Sequence, residues 1–429
     1  MGDQRVAGPP SMLNIAGNII RSPLLMATHL NQFYRDKAVK IREAFIRPTS
    51  DPALGLKKML AKRKFQGTFE IQTVSRSQLR KIIRKMKSTK SVGVDGISMR
   101  FIKDNIEPLL PALHNIIQQS ISHQTFPSSL KTSRVIPLEK SDSPHDQMSS
   151  YRPVNIQNST SKIIERVIFG QLAEYLTQNN LLPGNHHGSR AGHSTTTALL
   201  DIYEKLVDNH EKGLATAVLS LDQSAAYEII DHQLLQLKIQ LLGANPAALS
   251  WIQSFLADRS QAVEIQTKTS AVIAMPPCSV IQGSLASCLL YAIFTIDLPM
   301  AIHDSCEHDT DEDYSCPEGT VTTYVDDSSA VISAVNTRQL KEKAQETSEK
   351  LERYLDANLL KVNRDKSKLL INCPARQDRQ EVVIQTGDKP IKPSKNLKLN
   401  GSYLSQDLLW NHEIGVTMRQ LNYRVYILI

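Results

Sequence analysis

The stretch Thr322-Thr323-Tyr324-Val325-Asp326-Asp327-Ser328-Ser329 sets two adjacent carboxylates between residues suited to β-strands. Thr320 to Tyr324 and Ala330 to Ser333 are rich in Val, Ile, Thr and Tyr, so the local expectation is a β-hairpin with Asp326 and Asp327 at its turn. Neighbouring carboxylates repel one another unless solvent, a cation or a proton intervenes. A solvated Asp-Asp turn meets that condition as well as a cation site does. The choice depends on what the rest of the chain brings to the hairpin.

A second candidate carboxylate lies upstream, in Ala217-Val218-Leu219-Ser220-Leu221-Asp222-Gln223-Ser224-Ala225-Ala226-Tyr227. An apolar strand ends in Asp222, and a turn of small residues leads to the aromatic Tyr227. Carboxylates at strand ends suit metal binding because the sheet holds them rigidly. Between the two carboxylate stretches, Val280-Ile281-Gln282-Gly283-Ser284 opens an apolar helix expected over Leu285 to Ile296, with Ser284 able to cap it and Gln282 offering an amide to a ligand. Downstream of the hairpin, Thr337 to Leu360 reads as an amphipathic helix with Leu340, Ala344, Leu351, Tyr354, Leu355 and Leu359 inward, and Lys368 to Ile371 as a strand.

Toward the start of the chain the pattern is helical and basic. A helix is expected near His29 to Phe45, and another over Ser77 to Ser88 with Leu79, Ile82, Ile83 and Met86 on one face and Arg80, Lys81, Arg84, Lys85 and Lys87 on the other. Such a helix suits either a phosphate backbone or plain solvent. A third is expected over Met99 to Leu110. From Thr132 the pattern changes to strand, turn and strand, with Lys140 and Arg152 flanking the connection. Arg152 can grip a phosphate through two parallel bonds, whereas Lys140 offers a compact point charge. A structural ion pair would use Arg152 equally well. Ser161 to Leu176 then reads as a helix, and the loop His186-His187-Gly188-Ser189-Arg190-Ala191-Gly192-His193 holds histidines without a zinc-like partner set.

Composition bounds these readings. The 429 residues, 41% hydrophobic and 22% charged, describe a globular protein of two or three subdomains. The net charge of +7 is uneven: up to Lys140 there are 24 Lys/Arg against 9 Asp/Glu, a surplus of +15, and the remainder carries −8. The basic end is expected to face a polyanion, and the acidic part to hold cations. Five cysteines at scattered positions suggest reduced thiols rather than a disulfide framework. With no signal-peptide pattern, and with Asp297 interrupting the most apolar window, the expectation is a soluble protein of nucleus or cytoplasm, away from membranes. Cys306, His308 and Cys316 form an irregularly spaced set that fits a solvated acidic insertion better than zinc.

Taken in order, these stretches resemble the reverse transcriptases of non-LTR (LINE-like) retrotransposons, from roughly Ser91 to His412, about three quarters of the chain. Tyr324-Val325-Asp326-Asp327 resembles that family's Tyr/Phe-x-Asp-Asp box, and Leu221 to Tyr227 its first-aspartate motif. Gln282-Gly283-Ser284 is similar to the Gln-Gly-Ser motif, Arg134 to Lys140 and Tyr151-Arg152-Pro153 to the fingers motifs, and Asn363-Arg364-Asp365-Lys366-Ser367-Lys368 to the lysine motif. Gly401-Ser402-Tyr403-Leu404 with Trp410-Asn411-His412 looks like the primer-grip region and its sequel. One box is weak; seven in order are strong.

The resemblance implies an α+β, right-hand polymerase: fingers, a palm of antiparallel sheet backed by helices, and a truncated thumb. The expected division is a basic, largely helical N-terminal extension over 1–90, the reverse transcriptase domain over 91–412, and the start of a thumb over 413–429. It also implies that Asp222 meets Asp326 and Asp327 across 104 residues of chain. These carboxylates, with the Gln223 carbonyl, would hold two Mg²⁺ ions, or Mn²⁺ in their place. Asp222 and Asp326 would be the principal ligands and Asp327 the supporting one. Tyr227 matches the steric gate against a ribose 2′-hydroxyl, and Gln282 a contact to nucleotide or template. Arg152 and Lys140 match holders of the triphosphate, and Lys366 a general acid toward pyrophosphate. The implied partners are template RNA, primer DNA and deoxynucleoside triphosphates.

The chain departs from the family pattern at Tyr227-Glu228, Ile281, Gly188-Ser189-Arg190 and Asn400-Gly401. None of these removes a metal ligand. They motivate a competing reading, a truncated, non-catalytic nucleic-acid-binding remnant of such an element. A group II intron or host-retained reverse transcriptase would share the same core chemistry.

Overall fold

The computed structural model describes residues 8–45, 50–140, 144–281, 283–302, 319–374, 379–387 and 389–428. They fall into two compact units, each assembled from separated stretches of chain. The described residues of Met1–Ile46, Lys64–Asn179 and Tyr227–Phe294 form the first; those of Arg47–Arg63, Asn180–Ala226 and Thr295–Ile429 form the second. The units therefore divide elsewhere than at residue 90, and the N-terminal helix belongs to the body of the first. Gln282, assigned above to nucleotide or template, lies outside the described residues, as do Cys306, His308 and Cys316.

The second unit is built on a five-stranded sheet in the order Thr320–Tyr324, Asp327–Ala334, Ala215–Leu221, Lys368–Asn372, Pro393–Ser394. The first four strands are mutually antiparallel, and the short last one pairs parallel. Ala215–Leu221 is central, and its sequence is apolar at nearly every position because both faces are covered. Ala215, Ala217, Leu219 and Leu221 join Leu340, Ala344 and Leu351 of the helix Thr337–Ala357 in one core. Val218 points the other way, with Val331 and Leu370, toward Leu199, Ile202 and Leu206 of the helix Thr195–Glu211. The two-residue period of a strand thus feeds two separate cores. The hairpin of Asn396–Leu399 and Ser402–Ser405 adds Leu397, Leu399 and Leu404 to the second of these.

In the first unit, Tyr151–Ile156 pairs antiparallel with Thr132–Glu139, which pairs parallel with Ser260–Ile265. The helix Pro23–Glu43 lies on this sheet, burying Met26, Ala27, Leu30 and Tyr34 against Val135, Tyr151, Val263 and Ile265. A second nucleus is aromatic. Phe126, Phe169, Trp251 and Phe255 meet edge-on or stacked at centroid distances of 5.0 to 6.0 Å, the geometry preferred by ring quadrupoles. The helix Leu285–Phe294 is buried nearly all round and packs on Ser159–Gln178 and His232–Leu241. Among the described residues no helix is long and apolar enough to cross a membrane.

Two local expectations change. The helix expected over Met99 to Leu110 is two, Met99–Asp104 and Ile106–Ser122. Pro108 explains the break, since its ring conflicts with the carbonyl four residues earlier, at Asp104, and it tolerates only a first helical turn. The helix after the hairpin stops at Ala357 rather than Leu360, because Leu359 takes a left-handed φ of 56°. That turn sends Leu360 into the core with no exposed surface and leaves Leu359 only half-buried. The basic face over Ser77 to Ser88 is also partly neutralised. Arg80 and Arg84 pair with Glu107 at 2.7 and 3.4 Å.

The central strand should be the most sensitive element of the second unit. Leu219→Ala is expected to destabilise it by about 2–5 kcal/mol, read as a lower urea midpoint. Val272→Ala, at a site 59% exposed, should change stability by less than about 0.5 kcal/mol. Equal losses would remove Leu219 from the core argument.

Candidate active site

The register of the sheet brings the carboxylates together. Ser328 stands opposite Leu221, so one step further along the two strands are Asp327 and Asp222. Adjacent strands run ~4.8 Å apart, which puts the two carboxylates side by side on neighbouring strands. The hairpin is tighter than its sequence suggested. Tyr324 pairs with Asp327, leaving Val325 and Asp326 as the two-residue turn, so Asp327 is already a strand residue. Val325 carries a φ of 57°. A two-residue hairpin needs a positive φ to follow the strand twist, and a β-branched side chain is poorly suited to it.

A segment that sequence reasoning left unassigned braces this turn. Thr323 donates its N–H to the Asn185 carbonyl at 3.0 Å, and His187 donates to the Thr323 carbonyl at 2.8 Å. His186 Nδ1 meets the Thr323 hydroxyl at 2.7 Å. Burial first of all pushes the His186 imidazole down to about 4, so the brace stays neutral at physiological pH. Gly188 comes next. A Cβ there would stand 2.8 Å from the Val325 nitrogen and 3.1 Å from its Cγ2. The signal for this brace was a glycine in the histidine loop, but its function depends on a contact that spacing alone cannot reveal.

The lysine motif is anchored to Asp222 itself. Asn363 donates its N–H to the Asp222 carbonyl at 2.8 Å, and the Ser367 hydroxyl accepts the Asp222 N–H at 3.3 Å. Lys361-Val362 forms a short antiparallel ladder with Gln223-Ser224. The turn that bears Lys366 therefore hangs from the backbone of Asp222, with Lys366 exposed.

Of the residues assigned to nucleotide binding, Arg152, Lys140 and Tyr227 lie in the first unit, and Gln223 lies in the second. Arg152 is exposed on its strand opposite Leu138. The Lys140 ammonium donates to the Ser149 carbonyl at 2.5 Å, tying the hairpin's two arms together. Tyr227 is half-buried, its ring 5.4 Å from that of Tyr291, its hydroxyl 3.7 Å from the Cys288 sulfur, and its carbonyl bonded by the Val280 N–H at 2.8 Å. Ser284 caps the following helix through the Ala286 N–H and donates to the fully buried Glu165 at 2.6 Å. Sequence reasoning did not single out Glu165, which reads as one more polar position in a helix.

The electrostatics of the carboxylate cluster are those of crowded like charges. Asp327 is pushed up to about 6, first by desolvation, then by the Asp326 and Asp222 charges. Its outer surface is exposed, so the neighbouring charges are the firmer part of that cause. The donors are all hard oxygens, the set suited to Mg²⁺ or Mn²⁺ rather than zinc. Among the described residues no three His, Cys, Asp or Glu side chains stand at metal-ligand spacing. A cation would therefore draw the aspartates inward from the positions that repulsion favours.

A family model described as reverse transcriptase (RNA-dependent DNA polymerase) matches residues 138–406. That span contains every residue assigned above to catalysis or binding. The probable RNA-directed DNA polymerase from transposon BS of Drosophila melanogaster is 26% identical over 302 residues, 70% of this chain and 32% of that protein. The RNA-directed DNA polymerase from mobile element jockey of the same species is 25% identical over 267 residues, 62% of this chain and 28% of that protein. The probable RNA-directed DNA polymerase from transposon X-element, again of Drosophila melanogaster, is 27% identical over 227 residues, 52% of this chain and 24% of it. The chain thus spans about a quarter to a third of the length of these curated relatives.

The charge crowding has a measurable sign. In the fold Asp327 binds its proton up to about pH 6, against an ordinary value of 3.8. The stability it contributes is full below its unfolded pKa and is lost as pH rises through about 6. In chelator, Asp327→Asn should flatten the pH dependence of melting between those limits and raise the neutral-pH melting temperature by about 2 °C. Melting curves of variant and wild type that run parallel across the window would refute the repulsion.

Proposed function

Because the chain belongs to the reverse transcriptase (RNA-dependent DNA polymerase) family, with relatives among LINE-like, non-LTR elements, we propose that it copies RNA into DNA by adding deoxynucleotides to a primer 3′-hydroxyl. The observation that carries this reading is the strand register that sets Asp222 beside Asp326 and Asp327 inside the matched region. On this reading the second unit's sheet is the palm, the Thr132–Glu139 and Tyr151–Ile156 strands belong to the fingers, and the helix Asn411–Leu428 begins the thumb.

In the reaction the primer oxygen attacks the α-phosphorus of the incoming nucleotide. One P–O bond forms, the bond to the pyrophosphate oxygen breaks, and the hydroxyl proton is lost. Reverse transcriptases generally use divalent metals, and two Mg²⁺ ions, when bound, would acidify the hydroxyl and neutralise the triphosphate. Asp222 and Asp326 would hold them as principal ligands, with Asp327 supporting and the Gln223 carbonyl completing one sphere. Lys366, on the turn suspended from Asp222, would donate a proton to the departing pyrophosphate. Arg152 would take the triphosphate; Lys140, already bonded to Ser149, would join by exchanging that carbonyl for phosphate oxygen. Tyr227 would close the space beside the sugar C2′, and Gln282 would contact nucleotide or template. The exposed cations of the N-terminal region would track the template backbone without reading sequence.

The direct measurement is deoxynucleotide incorporation on a primed RNA template with Mg²⁺. Incorporation is expected, with Asp326→Asn reducing it on the order of 10²-fold or more. Salt-sensitive RNA binding without synthesis would instead favour a nucleic-acid-binding remnant. Tyr227→Ala should lower the preference for deoxy- over ribonucleotides by roughly 10–100-fold, and unchanged sugar selectivity would remove the gate assignment.

A further inference from the structure

The residues just after Tyr227 are held by charges from the N-terminal helix. Lys37 Nζ lies 3.0 Å from Glu228 Oε2, and Arg42 Nη2 lies 2.6 Å from Asp231 Oδ2. All four side chains are partly buried. Their separation in sequence is 191 and 189 residues, so neither pair is a by-product of local helix geometry.

The helix that carries these cations is itself fixed. Met26, Ala27, Leu30 and Tyr34 are buried against the first unit's sheet. Asn31 donates to the Ser270 hydroxyl at 2.9 Å and to the Ala271 carbonyl at 3.0 Å, and accepts from Gln261 Nε2 at 2.9 Å. On its other side the 227–232 stretch lies along 278–280. The Tyr227 carbonyl takes the Val280 N–H, Cys278 Sγ reaches the Glu228 carbonyl at 3.6 Å, and His232 Nε2 meets the Ser279 carbonyl at 2.9 Å. Asp231 caps the helix His232–Leu241 through the Leu234 N–H at 2.8 Å. The stretch is thus clasped between an anchored helix and the 278–280 segment, with Tyr227 at its head.

We propose that Lys37 and Arg42 are positioning residues for the nucleotide-selecting aromatic: by holding Glu228 and Asp231, the N-terminal helix fixes where the Tyr227 ring stands and so tunes discrimination against the ribose 2′-hydroxyl. This rests on reading Tyr227 as the gate. The Glu228 carboxylate meets Lys37 while its own carbonyl stays in contact with Cys278, so one residue ties the stretch to both neighbours. A displacement of the ring by a fraction of its width is enough to change which sugar fits. Lys37 and Arg42 touch no substrate in this scheme.

The test uses Lys37→Glu, its charge-swapped partner Lys37→Glu/Glu228→Lys, the conservative Lys37→Arg, and Tyr227→Ala. Two quantities are read: the ratio of deoxy- to ribonucleotide incorporation, and hydrogen exchange at the Val280 amide, which reports the Tyr227 carbonyl without requiring activity. Lys37→Glu is expected to lower the sugar ratio roughly fivefold and to speed Val280 exchange. The swap and Lys37→Arg should restore both. If Lys37→Glu lowers only the melting temperature, leaving Val280 exchange and the sugar ratio unchanged, the pair is merely structural and the proposal is overturned. If Tyr227→Ala itself leaves sugar choice unchanged, the gate reading fails, and Val280 exchange alone then decides whether Lys37 positions this stretch.

Discussion

Seven cross-strand pairs, from Ser328 opposite Leu221 to Ala334 opposite Ala215, fix one strand of the chain against another more than a hundred residues away. Everything proposed for the site depends on that register. A slip of the hairpin strand by one residue would exchange its faces, moving Val331 out of the core it shares with Val218 and Leu370 and pushing Ala330 into it. Two cores of different shape, one on each face, therefore lock the pairing. The apolar residues buy the register, and the register sets Asp222 beside Asp327.

The hairpin tip is less favourable in itself. Val325 in a left-handed turn and three like charges close together are both costs, and neither is offset within the hairpin. The offset comes from outside it. Residues 185–188 bond along Thr323 and close over Val325, with Gly188 the residue small enough to fit. The stretch from Asn363 to Ser367 occupies both backbone groups of Asp222. Strain of this kind persists where its surroundings over-determine it. A buried, neutral His186 and backbone hydrogen bonds do so here without adding charge to a site that already has too much of one sign.

How much of this the sequence disclosed depends on whether the physics was local. Alternation and β-branching announced the hairpin, the Asp222 strand and the Lys368 strand, and helical periodicity announced Thr337–Ala357 and Ser159–Gln178. The end of the former escaped because a left-handed leucine is decided by the burial of its neighbour Leu360. The Met99 helix was read through Asn105 because its apolar period continued, and Pro108 acts on a carbonyl four residues away. The basic surplus of the first 140 residues looked like a nucleic-acid surface, yet Lys37, Arg42, Arg80 and Arg84 spend their charge on Glu228, Asp231 and Glu107. Pairing across nearly two hundred residues leaves no trace in spacing. The meeting of the three aspartates was reached only through family resemblance, and the strand register now gives it a geometric basis.

The backbone sets the two hairpin aspartates in different surroundings. Asp326 is in the turn, while Asp327 is the first residue of a strand, its direction set by the pleat and its carboxyl in the field of the other two. That field raises its affinity for a proton, and it raises the affinity for a dication more, since a doubly charged ion interacts twice as strongly with each neighbouring charge. A bound divalent ion would relieve that repulsion. A sheet that forces carboxylates together against their mutual repulsion is therefore holding free energy in the form that cation binding can use.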